Sequence, residues 1–548
     1  MEAKLVADKV KSAHIDQFAR RNLPLAELWP DMAIDEPPLS LISPSINAAA
    51  LLLDDMVATG HGGSPSFLYE DVVWNYEQLL DRSNRIANVL VQDMGLVPGN
   101  RVLLHGFNTP MMVAAWFAVL KAGGICVAAM PLLRARELGY ICDKAEISHA
   151  LCDSSLVAET KTVQSLRPSL RHVMSFSALG GDLDAAGTLD LAISRRSSAF
   201  TNVQTAADDV AIIAFTSGTT GQAKGTMHFH RDLIAACECF PKLLSITPED
   251  RFCGTPPLAF TYGLGAHVLF PMYHGASVVL RKSFSPEDLL ETIARYRVTG
   301  LYSAPTAYRA MTDLVAGRDI ASLRLCVSGG EHLPLATWDR WLAATGLKIV
   351  NGIGATELLH NFISASGDDI RPGSTGKAIP GYTACIVDEE GRPLAPGNIG
   401  RLAIKGPTGC RYLSNIERQR SYVSNGWNLT GDIYSMDEDG YFWYQARGDD
   451  MIISAGYNIS GPEIENVLLE HPDVAECAVV GVPDPERGHV VKAFVVLKRP
   501  SDASESKAKQ LQDFVKLQIA PYKYPRQVEF RETLPRTPTG KLQRVALR

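Results

Sequence analysis

A run of glycines, hydroxyl residues and one lysine is the part of the sequence best suited to chemistry. It reads Thr216-Ser217-Gly218-Thr219-Thr220-Gly221-Gln222-Ala223-Lys224-Gly225 and follows Val210 to Phe215, a β-branched and apolar stretch that predicts a strand. Glycines let backbone N–H groups turn toward one point, hydroxyls can donate to phosphate oxygens, and Lys224 adds a cation. The composition therefore suits a polyphosphate.

The loop differs from a Walker A motif on both sides of its lysine. Ala223 stands where that motif needs glycine, and Gly225 stands where it needs serine or threonine. A flexible surface turn can have the same composition, so the loop taken alone leaves both interpretations open.

Strand-like and helical segments alternate around this loop. A helix is predicted over Arg231 to Leu244, and Ser285-Pro286-Glu287-Asp288 opens another with a cap, a proline in the first turn and early acids, ending near Arg297. Further strands are predicted at Ser277 to Leu280, Gly300 to Tyr302, Arg324 to Ser328 and Lys348 to Val350. This alternation predicts mainly parallel sheets with helices on both faces and ligands at the carboxyl ends of strands.

The pattern changes after Gly440 to a compact α+β arrangement. Helices are predicted over Pro462 to Glu470 and Lys507 to Ile519, and strands over Ala475 to Val482 and Val490 to Leu497. Since 548 residues are too many for one core, we predict two domains divided at Asp449. Residues 1–448 form a large α/β domain, and residues 449–548 form a small mobile α+β domain.

Composition excludes several kinds of partner. The net charge of -7 comes without a long basic block, which argues against a nucleic-acid partner. Ten scattered cysteines lack metal or disulfide spacing and indicate a reducing cytoplasm. The longest apolar stretch, Met111 to Leu133, is interrupted by Lys121 and two glycines, so it predicts a helix and a strand rather than a membrane span. A homodimer is compatible with these features.

The glycine-rich loop resembles the signature of the adenylate-forming superfamily, which includes acyl-CoA synthetases, luciferases and peptide-synthetase adenylation domains. The family usually has proline in place of Ala223, a change that we expect to loosen the loop without abolishing the site. The resemblance runs from about Ser66 to Lys541 and also rests on Leu120 to Gly124, Ser328 to Glu331, Asn351 to Glu357, Thr430 to Asp432 and Pro538 to Lys541. It implies ATP-dependent formation of an acyl-adenylate and then of a coenzyme A thioester.

The resemblance also implies roles for individual residues. Thr356 would bond the nucleotide phosphate, Glu357 would bind magnesium, and Lys541 would bridge the acid's carboxylate and the α-phosphate. Asp449 would be the hinge about which the small domain rotates between the two half-reactions. ATP and CoA contacts are implied for Thr216, Ser217, Gly218, Thr219, Thr220, Gly221, Lys224, Gly330, Glu331, Asn351, Gly352, Ile353, Asp432, Tyr444, Arg447, Gly456 and Tyr457.

The acid's pocket is expected along Pro256 to Gly265. Substrate contacts are predicted for Phe260, Thr261, Tyr262 and Gly263, together with Gly330, Ile353, Gly354 and His360. No acidic residue occurs between Gly254 and His267, which disfavours an α-amino acid because its ammonium group would need a counter-charge. These aromatic residues could equally be core residues, and His360 could be a satisfied core histidine.

Within the superfamily, the sequence resembles the benzoate and 2-aminobenzoate (anthranilate) CoA ligases most. The segments Ile353 to His360 and His228 to Asp232 carry that likeness, and Ser12 to Arg20 followed by Asn22-Leu23-Pro24 favours the 2-aminobenzoate group. Benzoate and hydroxybenzoate ligases, an enzyme that loads a carrier protein, and a non-catalytic nucleotide-binding protein are the alternatives. His228 and His230 lack a third ligand and do not predict a metal site.

Overall fold

Two mainly parallel sheets form the framework of the large N-terminal domain. The computed structural model describes residues 10–35, 37–181, 187–216, 223–448, 450–454, 457–484, 488–519, 523–537 and 542–548. The strands of this domain are β1 (Pro65–Tyr69), β2 (Val72–Asn75), β3 (Arg101–His105), β4 (Ile125–Ala129), β5 (His149–Asp153), β6 (His172–Phe176), β7 (Val210–Thr216), β8 (Lys224–Phe229), β9 (Arg251–Gly254), β10 (Ser277–Val279), β11 (Gly300–Ser303), β12 (Leu325–Ser328), β13 (Ile349–Gly354), β14 (Asn361–Ser364), β15 (Lys377–Ala378), β16 (Thr383–Val387), β17 (Ile399–Lys405), β18 (Val423–Ser424), β19 (Trp427–Met436) and β20 (Phe442–Arg447).

Helices connect these strands and pack against the sheets. They are α1 (Phe18–Arg21), α2 (Tyr76–Gln92), α3 (Pro110–Lys121), α4 (Ala135–Lys144), α5 (Val157–Leu166), α6 (Leu189–Ser194), α7 (His230–Cys239), α8 (Thr261–Leu264), α9 (Phe270–Tyr273), α10 (Pro286–Tyr296), α11 (Pro305–Thr312), α12 (Leu335–Thr345) and α13 (Ile416–Tyr422). Helix α3 contacts strands of both parallel sheets, and every one of its residues is buried. The main apolar core therefore lies between the two sheets.

Among the described residues, the two large sheets are parallel in their centres and antiparallel only at their edges. Among the described residues one sheet runs β6-β5-β3-β4-β7-β8 and is parallel except for the β7–β8 pair. The other runs β15-β14-β13-β12-β11-β9-β10-β1-β2, with antiparallel pairing only at its two ends. Strands β16 to β20 form a separate antiparallel sheet. The predicted α/β class is confirmed.

Several predicted elements appear with small changes. The helix α10 begins after Ser285, whose side chain accepts from the backbone of Asp288 while Asp288 caps it in return, and Arg297 ends the helix in a left-handed conformation. The helix predicted over Arg231 to Leu244 instead ends at Cys239 and continues as a 3₁₀ turn, because Pro241 has no backbone N–H to donate. The strand β8 is one that the sequence pattern does not predict.

The smaller C-terminal domain is an α+β unit. It consists of β21 (Ile452–Ser454), β22 (Tyr457–Ile459), α14 (Gly461–Glu470), β23 (Val474–Asp484), β24 (Gly488–Leu497), α15 (Glu505–Gln518) and β25 (Gln527–Phe530). Strands β23, β24 and β25 form one sheet against which α14 packs, and α14 also contacts α12 and β20 of the large domain. Asp449 lies outside the described residues, so the exact boundary stays a prediction.

A buried ion pair joins the two halves of the large domain's sequence. Arg411 Nη1 lies 2.8 Å from Asp232 Oδ2, and both side chains are fully buried. The guanidinium carbon also lies 4.1 Å from the ring centre of Phe229 and 4.9 Å from that of Trp29. Aromatic faces and a paired carboxylate together offset the cost of burying this cation.

We expect Arg411→Ala to lower stability by about 3–5 kcal/mol, because it leaves the Asp232 carboxylate buried without its cation. Urea titration followed by tryptophan fluorescence measures the change. Arg392→Ala is the matched control, since Arg392 pairs with Asp388 at 2.7 Å on the surface and its loss should cost at most about 1 kcal/mol. Equal decreases in the free energy of unfolding of the two variants would show that the buried pair stabilises the fold no more than the surface pair does.

Candidate active site

The predicted phosphate loop connects two paired strands. Thr216 at the end of β7 is the register partner of Lys224 at the start of β8. The predicted phosphate ligands Ser217, Gly218, Thr219, Thr220 and Gly221 lie outside the described residues. The base of the loop is therefore a hairpin that brings the Thr216 and Lys224 backbones side by side.

Lys224 lies in a mixed electrostatic environment at this base. Partial burial lowers the pKa of Lys224, the charge of Arg418 lowers it further, and Glu357 opposes both. A cavity of about 190 Å³ adjoins the lysine and is also lined by Lys144 and Tyr412. The site thus combines cations from α4 and β8 with one nearby carboxylate, an arrangement that favours phosphate groups.

Glu357 stands on a short and strained connection. After β13 ends at Gly354, Thr356–Leu358 form a 3₁₀ turn, and Leu359 adopts φ 71° with a hydrogen bond of 2.9 Å from His360 N to Leu358 O. This is a tight γ-turn of the rare and strained kind, since a non-glycine residue holds a positive φ. It reverses the chain into β14 and leaves Glu357 at the carboxyl end of β13.

Two side chains from elsewhere fix this turn. Tyr412 donates its hydroxyl to Glu357 Oε1 at 2.5 Å, and His228 Nε2 lies 2.7 Å from the carbonyl oxygen of Thr356. A carbonyl only accepts hydrogen bonds, so His228 must carry its proton on Nε2. Burial, followed by the charge of Glu357, raises the pKa of Tyr412 far above its ordinary value, which keeps the phenol protonated.

The imidazole of His228 is itself held neutral. Burial lowers the pKa of His228 to about 4, although the nearby charge of Asp232 works in the opposite direction. Asp232 Oδ2 accepts from Arg411 and from the backbone N–H of Phe229 at 3.0 Å, and it lies 3.9 Å from His228 Nδ1. The buried ion pair of the fold therefore stands directly behind the residue that holds Thr356.

Glu357 suits a divalent cation that is shared with phosphates. One carboxylate oxygen is held by Tyr412, and the other accepts no hydrogen bond from the part of the chain that the structure describes. That part also contains no cluster of three or more His, Cys, Asp or Glu side chains able to hold a metal. A single carboxylate with ligand phosphates and waters is what Mg²⁺ accepts, so the residues present fit that ion.

Asp432 and Arg447, both predicted near the ribose, lie side by side. They are register partners on β19 and β20, and Arg447 Nη1 donates to Asp432 Oδ1 at 2.9 Å. Asp432 is buried whereas Arg447 is partly exposed. An anchored carboxylate at the rim of a sheet can accept hydrogen bonds from a vicinal diol.

The predicted adenine turn also packs against the predicted acyl wall. Gly330 has φ 87°, and a Cβ at Gly329 would come within 2.8 Å of the Tyr262 ring. Tyr444 stacks on His332, with ring centres 4.8 Å apart. Glycine at position 329 is therefore needed for the close approach of Tyr262.

His360 lies in an aromatic enclosure. Its ring centre is 4.5 Å from Phe270, 5.3 Å from Phe240 and 5.5 Å from Tyr262, and a Cβ at Gly265 would come within 2.3 Å of its Cδ2. Burial lowers the pKa of His360 to about 3. A hydrogen-bonding contact with the backbone of Tyr262 opposes this effect of burial, and the ring nitrogens have no other polar partner among the described residues. The substrate contact of His360 stays a prediction.

Other predicted substrate residues surround this enclosure. A Cβ at Gly263 would come within 2.0 Å of the Pro257 carbonyl, and the half-buried Phe260 donates its N–H to the same carbonyl at 3.0 Å. Thr261 is buried beside them, and Ile353 packs against the main core. Asn361 lies across Gly352 and Gly354, where added Cβ atoms would come within 2.6 and 2.8 Å of its amide.

The structure describes some of the remaining predicted site residues, and others lie outside the described ranges. Asn351 donates from Nδ2 to Ser374 O at 3.3 Å, and Glu331 lies beside Gly330 in the same turn. Tyr457 pairs through its backbone with Ser454 in the hairpin β21–β22. Lys541, Gly456 and Asp449 lie outside the described residues. Tyr412, His332 and Asn361 are site residues that the sequence pattern missed, although His332 and Asn361 directly follow predicted motif residues.

The helix-flanked sheets, with Glu357 after a strand end and the Asp432–Arg447 pair on neighbouring strands, form the arrangement that the resemblance to adenylate-forming enzymes implies. The sequence-family model of AMP-binding enzymes matches residues 55–412 of the chain. The family model of the AMP-binding enzyme C-terminal domain matches residues 463–541. The chain therefore belongs to the AMP-binding enzyme family, as its sequence resemblance implied. It is an AMP-forming acid–thiol ligase, and ATP and CoA are the substrates that this family implies.

Individual relatives cover nearly the whole chain. Benzoate–CoA ligase of Thauera aromatica is 34% identical over 524 residues, which are 93% of this chain and 97% of the ligase. The crystal structure of the anthranilate CoA ligase AuaEII in complex with anthranoyl-AMP has a TM-score of 0.87 and 34% identity, covering 93% of this chain and 98% of that one. A benzoate CoA ligase from Burkholderia xenovorans LB400 has a TM-score of 0.83 and 32% identity, covering 92% and 100%.

Two expectations about the environment of the protein can also be compared with the structure. All ten cysteines are described, and each is a free thiol. Within the described ranges, no helix combines the length and the apolar character needed to pass through a membrane. The predicted homodimer and cytoplasmic location stay predictions.

We expect His228→Ala to slow adenylate formation by about five- to 150-fold, because an unmade buried hydrogen bond costs about 1–3 kcal/mol and the turn that presents Glu357 loses its support. Single-turnover release of pyrophosphate measures this rate. His228→Gln is the matched variant, since its side-chain amide can still donate to the Thr356 carbonyl and should retain most of the activity. If alanine and glutamine variants both matched the wild type, His228 would not position this turn.

Stability should fall as the pH drops from 6.5 toward 5. Burial is the largest influence on six histidines: it lowers the pKa to about 4 in His149, His228, His267 and His332, and to about 3 in His230 and His360. In the folded protein these imidazoles stay neutral between pH 6.5 and 5, whereas in the unfolded chain they take up protons near pH 6.5. The stabilisation is therefore present above pH 6.5 and is lost below it, by up to about 1.4 kcal/mol per pH unit for each group.

The melting temperature measured between pH 7.5 and 5 tests this dependence. His230→Asn is the control, because an asparagine oxygen can replace His230 Nδ1 as the acceptor of the Ala48 N–H, which lies 3.1 Å away. That variant should show a shallower pH dependence. A melting temperature that stays constant or rises as the pH falls would contradict the assignment.

Proposed function

We propose that this protein is an aryl acid:CoA ligase whose preferred acid is 2-aminobenzoate. The acid would first form an aryl-adenylate with release of pyrophosphate, and CoA would then take the aryl group with release of AMP. Benzoate or hydroxybenzoate ligation, or loading of a carrier protein, are the alternatives. We also propose that the enzyme is located in the cytoplasm.

The buried imidazole of His360, enclosed by aromatic rings, is the observation that carries the choice of acid. His360 is neutral, and apart from the backbone of Tyr262 its ring nitrogens have no polar partner in the described residues. A flat aromatic acid can stack in such an enclosure, and its arylamine N–H can donate to a neutral imidazole nitrogen. An arylamine is uncharged near neutral pH, which agrees with the lack of an acid between Gly254 and His267.

The adenylate-forming step needs two anions to approach each other. The acid's carboxylate oxygen attacks the α-phosphorus, and the bond from that phosphorus to pyrophosphate breaks. Lys224 and the tail residue Lys541 would neutralise charge at this centre, while Thr356 would donate to phosphate oxygens. Glu357, oriented by Tyr412, would hold Mg²⁺, which neutralises phosphate charge when bound.

The two half-reactions would use different arrangements of the domains. Asp432 and Arg447 would hold the ribose throughout. We assign the adenylation domain to residues 1–448 and the mobile domain to 449–548, with Asp449 as the hinge. Rotation would withdraw Lys541 and bring Gly456 and Tyr457 toward the adenylate, where CoA's thiol attacks the acyl carbon.

The acid preference is tested by thioester formation across 2-aminobenzoate, benzoate, hydroxybenzoates, short fatty acids and amino acids. We expect 2-aminobenzoate to give the highest kcat/KM, and His360→Leu to lower that value by about fivefold, as expected for about 1 kcal/mol of one hydrogen bond, with benzoate less affected. His360→Gln keeps an acceptor and should preserve the preference. Lys541→Ala supplies a reference with impaired adenylation.

Equal losses for 2-aminobenzoate and benzoate in His360→Leu would contradict the assigned hydrogen bond. A wild-type preference for a fatty acid or an amino acid would contradict an aryl substrate. Release of pyrophosphate without transfer to CoA would favour the carrier-loading alternative.

A further inference from the structure

One carboxylate in the C-terminal domain joins two arginines that come from different domains. Glu476 lies on β23, and its Oε1 is 2.8 Å from Arg309 Nη2 on α11 of the large domain. Its Oε2 is 2.8 Å from Arg536 Nη2 in the C-terminal tail. Each arginine therefore uses a different oxygen of the same side chain.

Arg536 stands at the base of the tail segment that contains Lys541. Arg536 forms an antiparallel bridge with Leu542, and Gln543 N donates to Pro535 O at 2.9 Å. These two contacts bring together the chain ends on either side of residues 538–541. The described residues that flank this segment are therefore held together at one point on the small domain.

The returning end of this base is anchored as well. Arg544 Nη2 lies 2.8 and 2.7 Å from the two carboxylate oxygens of Glu465 on α14. Glu465 also accepts from the backbone N–H of Val479 at 2.8 Å. The Arg544 anchor lies wholly within the small domain, whereas Glu476 also reaches the large domain.

The large-domain partner of Glu476 belongs to a helix that follows a strand ending beside the predicted adenine turn. Arg309 belongs to the helix that follows β11, and the last residue of β11, Ser303, accepts from Gly329 N at 3.3 Å in the predicted adenine turn. An ion pair at Arg309 thus relates the base of the Lys541 segment to the same strand ends that form the site.

We propose that Glu476 is a positioning residue for adenylate formation, which holds the base of the Lys541 segment against Arg309. This inference rests on the proposed function, in which Lys541 acts in the first half-reaction only. Breaking the Arg309–Glu476 pair therefore slows adenylation, whereas transfer from a preformed adenylate to CoA, which needs another domain orientation, keeps its rate.

The strength of the pair suits a contact that breaks in every turnover. The side chains of Arg309 and Glu476 are 20% and 30% exposed, so water and salt screen their attraction. A fully buried pair would oppose the domain rotation, whereas a part-exposed pair biases it modestly. We expect its loss to slow adenylation by about two- to fivefold.

The experiment compares Arg309→Ala, Glu476→Gln and the double variant in the full-length protein. Single-turnover pyrophosphate release from 2-aminobenzoate and ATP measures the first half-reaction. Supplied aryl-adenylate with CoA measures the second. Both single variants should slow the first step by about two- to fivefold, the double variant should be no slower than Glu476→Gln, and the second step should keep its wild-type rate. Raising the salt concentration should shrink the difference between Arg309→Ala and wild type.

Glu529→Gln is the matched control. Glu529 also bridges two cations, Lys492 at 2.7 Å and Arg531 at 2.5 Å, but all three residues lie in the small domain. It should leave both half-reactions unchanged. Unchanged adenylation in Arg309→Ala and Glu476→Gln, or equal losses in both half-reactions, would overturn the inference. A wild-type protein that forms no adenylate from any aryl acid would instead remove the proposed function.

Discussion

The buried pair between Arg411 and Asp232 is the contact on which the site's geometry depends. It secures Asp232 at the start of α7, beside the imidazole of His228, and both charges are removed from water. His228 in turn holds the backbone of Thr356. A charged interaction in the core is thus connected through one imidazole to the turn that carries the predicted catalytic carboxylate.

This connection explains how a strained turn can persist at a functional position. The positive φ at Leu359 costs free energy, and the surrounding contacts from His228 and Tyr412 determine the conformation on its N-terminal side. The same turn also brings two parts of the predicted site close together in the chain. The γ-turn sends the chain directly into His360, so that the carboxylate of Glu357 and the aromatic enclosure of His360 are separated by only two residues.

Local patterns were enough to predict much of this architecture. The capped helix α10 and the alternating strands and helices each carry their signal within a few residues, and the structure contains them. The strand β8 was not predictable in this way, because the run Lys224 to Phe229 is interpretable as a strand only when its antiparallel partner is known.

Some residues of the predicted site can be identified from the local sequence, whereas others come together only in the folded chain. Residues in contiguous motifs, such as Thr356 with Glu357, were identified by resemblance, and the fold brings Asp432 and Arg447 together as expected. Tyr412 lies 55 positions from Glu357 and belongs to no motif, so its contact emerges only from folding. Glu476 likewise has meaning only through Arg309 and Arg536, which are distant in sequence. The proposed acid preference would depend on the shape of an enclosure built from separate helices, which a sequence motif does not encode.

We propose that the turn supported by His228 and Tyr412 presents Glu357 to a cation shared with nucleotide phosphates. The most direct measurement is the affinity of Mn²⁺, used in place of Mg²⁺ and followed by electron paramagnetic resonance, in the presence of a non-reactive ATP analogue. We expect Glu357→Gln to weaken this binding by at least about tenfold, corresponding to about 1.4 kcal/mol, and Tyr412→Phe to weaken it less. An unchanged Mn²⁺ affinity in Glu357→Gln would show that Glu357 does not hold the cation.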